Sequence, residues 1–120
     1  MELLTDELVR RFAQVGRQQD LGYGALAIAR YTVPNTDWVW LATEYEPEER
    51  RFYGYLGSGG GLNYFTLDAL EAVRGPYGVC VERDERFGEK PLFRALRAEA
   101  VKALRVVEIG LNGMGGRRRR

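Results

Sequence analysis

A chain of 120 residues with 45% hydrophobic and 29% charged side chains has the size and make-up of one globular domain around a single core. It carries no histidine and one cysteine, Cys80, which excludes Ser-His-Asp and Cys-His catalysis, an internal disulfide and the usual His/Cys zinc sites. The formal charge of +1 is uneven: Arg117, Arg118, Arg119 and Arg120 are four of the 18 bases, and without them 14 bases face 17 acids, a balance of −3.

The first predicted element is a helix from Leu4 to Val15. Thr5 can cap it, Asp6 and Glu7 suit its positive end, and Leu8, Val9, Phe12 and Val15 form one apolar face. The stretch 16–24 reads as a loop. Residues 25–33, ALAIARYTV, alternate and end in β-branched residues, which favours a strand over a helix. After a turn at Pro34-Asn35-Thr36, TDWVWLATEYE begins a strand over 37–45 that holds both tryptophans.

Pro47 sets a turn at 46–49, and RRFYGYLG returns over 50–57 as the hairpin partner. GSGGG (57–61) lacks the Gly-Lys-Ser/Thr ending of a phosphate loop and reads as a hairpin loop, followed by a short strand, LNYF. Thr66 caps a helix over Leu67–Arg74, stopped by Gly75-Pro76. A strand is expected over 77–84, a loop over 85–90, a helix over Pro91–Ala103 and a last strand over 105–111. The expectation is a single α+β domain over 1–111, a mostly antiparallel sheet of about five strands with two or three helices packed on one face. Residues 112–120 then form a disordered Gly/Arg-rich tail.

No apolar run approaches the ~20 residues of a membrane span, and acids occupy the N-terminal stretch where a signal peptide would be basic. The protein is therefore expected in the cytoplasm, away from membranes, with no metal and no cofactor. Alternation along the tryptophan strand places Trp38, Trp40, Ala42 and Glu44 on one face and Val39, Leu41, Thr43 and Tyr45 on the other. Two indoles on one face are either core under a helix or a partly open aromatic platform.

At this strand the chain becomes recognisable: it resembles the DUF2958 family, small single-domain bacterial proteins often carried by plasmids and conjugative elements. The resemblance rests on Trp38, Trp40, Ala42, Thr43 and Glu44, on Tyr64-Phe65-Thr66-Leu67, on Arg74-Gly75-Pro76, on Glu82-Arg83-Asp84 and on Lys90-Pro91-Leu92. It spans roughly residues 3 to 95 and departs where Gly61 and Asn63 stand in place of the acidic residue and glycine usual just before the tyrosine. What it implies is an accessory protein of a mobile element, with no assigned reaction.

Two functional readings follow. In the first, a non-enzymatic binding or regulatory module acts through Trp38, Trp40, Tyr45, Tyr64, Arg83, Arg86 and Lys90 on a protein or on nucleic acid, with Arg117–Arg120 adding salt-dependent phosphate contacts. In the second, Glu44, Glu82, Arg83 and Asp84 converge as the working groups of a small histidine-free ribonuclease or other nuclease of toxin type. The same four residues can equally be an ion-paired register lock between Arg83 and Glu44 or Asp84. A homodimer through the sheet edge is a further possibility.

Overall fold

The computed structural model describes residues 1–57 and 59–115, with 106–115 by backbone alone. It is an α+β structure. The chain order is helix α1 (Asp6–Val15), a 3-10 turn (Gln19–Gly24), β1 (Leu26–Ala27), β2 (Ala29–Thr32), β3 (Val39–Glu46), β4 (Arg51–Leu56) and β5 (Gly61–Thr66). Helix α2 (Leu67–Ala72), a 3-10 turn (Pro76–Gly78), β6 (Glu82–Arg83), β7 (Lys90–Pro91) and helix α3 (Leu92–Gly115) complete it. Five strands form an antiparallel sheet in the order β5-β4-β3-β2-β6, and β1 pairs with β7 in a separate two-stranded ribbon.

The expected caps hold the helices. Thr5 Oγ1 accepts the Leu8 N–H at 3.1 Å, and Gly16, at φ 75, ends α1 by donating its N–H to the Phe12 carbonyl at 2.9 Å. Thr66 Oγ1 accepts the Ala69 N–H at 3.0 Å, and α2 closes at Val73, slightly before the expected Arg74.

The sheet is covered on both faces, not on one. Phe12 of α1 and Leu67 and Leu70 of α2 pack with Ala29, Tyr31, Ala42, Phe52 and Phe65. Leu92 and Ala95 of α3 pack with Val39 and Leu41 on the other side. The central strand β3 is apolar on alternate residues in both directions for this reason.

Three predicted strands change. Residues 25–33 divide into β1 and β2, where Ile28 donates its N–H to the Ala42 carbonyl at 2.8 Å between them. The strand expected over 77–84 shrinks to Glu82–Arg83. Tyr77 at φ 60 and Gly78 at φ 77 turn the chain there, and a single bridge joins Arg74 to Cys80, whose side chain is exposed. The strand expected over 105–111 is helix, because α3 runs on to Gly115 and takes in the first residues of the expected tail. A short apolar run reads equally as strand or as helix face. Arg117–Arg120 lie outside the described residues.

Candidate functional site

A one-residue irregularity in β3 organises the site. Ala42 pairs with Gly54 and Glu44 with Tyr53, so Thr43 is an extra residue on β3. Thr43 is buried, and its Oγ1 donates to the Tyr53 carbonyl at 3.0 Å. The bulge reverses the alternation beyond it. Tyr45 therefore joins the face of Trp40 and Ala42, its ring centroid 4.9 Å from Phe52 and 6.2 Å from Phe12. Glu44 moves to the opposite face beside Tyr53, contrary to the strict alternation expected of this strand. Burial, the largest influence on it, raises the Tyr45 phenol above its ordinary value.

Beside this bulge, β4 and β5 present Arg51, Tyr53 and Tyr64 on one face, since Tyr53 and Tyr64 are paired across the strands. The Tyr53 and Tyr64 rings meet edge to face at 5.1 Å, and the Arg51 guanidinium carbon lies 4.3 Å from the Tyr64 centroid. Tyr64 is 44% exposed, and its hydroxyl donates to Gln19 Oε1 at 3.1 Å. Arg51 reaches Glu49 at 3.0 Å, while its Nε is buried without a hydrogen-bond partner. Arg17, Gln19, Glu44, Tyr45 and these three side chains border an open hollow of about 400 Å³.

The acids around this shelf are engaged by the fold. Glu44 Oε2 accepts the Gln18 N–H at 2.6 Å, and Glu46 Oε1 accepts the N–H groups of Glu48 and Glu49 at 2.6 and 3.3 Å. The shelf is thus an aromatic and cationic surface with its carboxylates committed to turns.

Next to it runs an open sheet edge. The Tyr53 carbonyl faces β3, where Thr43 binds it, so Tyr64 opposite turns its own N–H and carbonyl away from β4. The side-chain carbonyl of Asn63 accepts that N–H at 2.8 Å.

The remaining sequence candidates are dispersed. Trp40 is half-buried against the core, whereas Trp38 precedes β3 and is 37% exposed. β2 lies between β3 and β6, which separates Glu44 from Glu82, Arg83 and Asp84. Arg83 pairs with neither Glu44 nor Asp84; its Nε donates to the Glu2 carbonyl at 3.2 Å and it lies 3.8 Å from Glu85. Asp84 instead takes Arg30 at 3.1 Å and accepts the Arg86 N–H at 3.0 Å. Lys90 sits over the Phe87 ring at 5.0 Å, and Arg86 is exposed. Among the described residues, no group of three or more Asp, Glu or Cys is placed to hold a metal ion.

Sequence reasoning missed Arg17, Gln19, Arg51 and Tyr53. The signal available was the alternation of Arg51, Tyr53 and Tyr55 along RFYGYL, opposite the core-facing Phe52.

The sequence pattern of the proteins of unknown function DUF2958 matches residues 3–107. The chain belongs to this family. No curated protein and no solved structure matches it. Among the described residues of this DUF2958 protein, no helix is long and apolar enough to cross a membrane.

Proposed function

We propose that this DUF2958 protein is a non-catalytic binding module of a regulatory kind, an accessory of a mobile element acting in the cytoplasm. Its working surface is the shelf of Arg51, Tyr53 and Tyr64, and its partner is a protein. The observation that carries the reading is the stack itself: Arg51 lies 4.3 Å over Tyr64, which meets Tyr53 at 5.1 Å, beside a hollow of about 400 Å³. Tyrosine and arginine are enriched among residues that dominate binding energy at protein interfaces, because they combine large rigid surfaces with directed polar groups. The commitment of Glu44 to a backbone N–H and its separation from Glu82 and Asp84 favour recognition over hydrolysis. A balance of −3 outside the terminal arginines disfavours sequence-blind attraction to phosphates.

The test is a photocrosslinking residue at Tyr64, compared with the same residue at the fully exposed Tyr77. The expected result is a discrete protein adduct from position 64 only, removed by Arg51→Glu. Equal adducts from both positions, or insensitivity to Arg51→Glu, overturn the reading. Labelled single-stranded RNA and DNA are titrated alongside. Tight binding that survives truncation at Asn112 transfers the surface to nucleic acid, and cleaved strands on a denaturing gel restore the nuclease.

A further inference from the structure

Among the side chains described, those that tie helix α3 to the body lie in its first two turns. Leu92 and Ala95 are buried against Val39 and Leu41, and Arg30 grips Glu99 at 2.7 and 3.0 Å. From Ala100 to Arg105 every residue is exposed. The helix therefore leaves the body one turn beyond Leu96, and its outward side carries apolar side chains along its length: Phe93 is 56% exposed, Val101 44% and Leu104 68%.

These residues are ordered. Phe93, Arg97, Ala100 and Leu104 follow one another at spacings of four, three and four. On a helix of 3.6 residues per turn that spacing makes one stripe, the seam along which helices pair. Arg97 stands in the middle of it, Arg94 and Arg105 flank it on one side, and Lys102 lies towards the opposite face. The one acid over residues 92–105, Glu99, is held by Arg30 and lies 3.8 Å from Lys102. Over Leu92–Arg105 the stripe is thus apolar and cationic, and the next acid of the helix is Glu108.

We infer that this seam docks an acidic amphipathic helix of a partner protein, with a carboxylate opposite Arg97. Charge selects among the candidates. A second copy of α3 running in the same direction sets Arg97 against Arg97. A lipid surface takes a continuous apolar stripe, and Arg97 interrupts this one at its centre. Phosphate contacts use the arginines but leave Phe93 and Leu104 in water. An acidic helix satisfies both the seam and its charge. This surface is independent of the Arg51–Tyr64 shelf.

The test uses the full chain and a labelled synthetic helix of about three heptads, with leucines along its seam, glutamates at the flanks and one central glutamate. Its companion replaces every glutamate with glutamine. Phosphatidylserine vesicles and a single-stranded oligonucleotide are measured in parallel. The acidic helix is expected to bind at least about tenfold more tightly than the glutamine version, and Arg97→Glu and Leu104→Ser each to weaken it about tenfold, the size of one lost interfacial ion pair or anchor. Arg74→Glu, far along the chain, leaves binding unchanged. Because the terminal arginines could attract acids unaided, the series is repeated with Arg117–Arg120 replaced by serines, and binding is expected to persist. Loss of binding with those serines, insensitivity to Arg97→Glu, or a preference for vesicles or DNA overturns the inference. Self-association in sedimentation that Leu104→Ser abolishes also overturns it, in favour of a dimer.

Discussion

Gln18 and Leu26 are joined as two strand residues are, although one of them contributes only its side chain. The Leu26 N–H donates to Gln18 Oε1 at 2.6 Å, and Gln18 Nε2 donates to the Leu26 carbonyl at 2.9 Å. The same Nε2 donates to the Thr43 carbonyl at 2.8 Å, on the bulge of β3. Beyond Ala42, where β2 no longer pairs with β3, this carboxamide replaces the missing strand.

Gln18→Ala removes all three bonds and leaves the half-buried backbone groups of Leu26 and the buried Thr43 carbonyl without this partner. The expected cost is about 2–4 kcal/mol, because an unmade buried bond costs more than a made one contributes. A lowered urea midpoint with unchanged slope is the sign to look for. A shift no larger than that of Gln19→Ala, whose side chain meets only the Tyr64 hydroxyl, would contradict the role.

Glu44 serves the same crossing. Its carboxylate accepts the Gln18 N–H at 2.6 Å, so it fixes the turn that brings the carboxamide into place. Glu44→Gln keeps an acceptor but loses the charge assistance, and should lower stability by about 1 kcal/mol. Glu82→Gln, on an exposed residue of β6, should leave the melting temperature where it is. Equal effects of the two changes would mean that Glu44 has no structural task.

What the sequence made legible was whatever depends on local pattern. Thr5 and Thr66 cap their helices, the 46–49 turn forms a hairpin, and Trp40 and Phe52 alternate inward as strand periodicity demands. The bulge at Thr43 has no local signature, since threonine suits a regular strand as well. It moves Glu44 across the sheet, and the carboxylate cluster imagined around it depended on strand order, which periodicity does not carry. Gln18 sits in a polar stretch that reads as loop, and its burial follows from partners 8 and 25 residues away. Helix α3 was cut short because Arg105–Leu111 alternates as a strand would.

Close approach decides Gly54. A side-chain carbon there would overlap the Leu41 carbonyl oxygen and press on Ala42, next to the bulge. Backbone atoms cannot yield as a flexible side chain can, so Gly54→Ala should cost about 3 kcal/mol. The measurement is the denaturant midpoint, against Gly24→Ala as a control with open space around it. If both cost the same, the contact is not limiting.

Tyr31 is fully buried, and among the described residues its hydroxyl has no hydrogen-bond partner. Burial, the largest influence, raises its phenol above the ordinary 10.0. Between about 10, the unfolded value, and its raised folded value, the unfolded chain gives up a proton that the folded chain keeps. Stability is therefore undiminished below about pH 10 and falls as pH rises above it. Tyr31→Phe should remove most of that alkaline slope. At neutral pH it should be neutral or stabilising by about 1 kcal/mol, because an unpaired buried hydroxyl is lost. Loss of stability at neutral pH would indicate a partner for the hydroxyl.

Arg30 ties two parts of the chain to one face of the sheet. It takes Glu99 of α3 at 2.7 and 3.0 Å and Asp84, after β6, at 3.1 Å, with only 13% of its side chain exposed. Asp84 also keeps a backbone bond to the Arg30 carbonyl at 2.9 Å, whereas Glu99 has no such second tie to the sheet. Glu99→Gln should therefore act locally. Amide hydrogen exchange is expected to rise over Leu96–Arg105 while β3 and β4 stay protected, since among the described side chains apolar packing holds the helix as far as Leu96. Arg30→Met should act more broadly, leaving two half-buried carboxylates uncompensated at a cost of about 2 kcal/mol. If Glu99→Gln loosens the whole sheet equally, α3 is part of the folding core and not an arm resting on it.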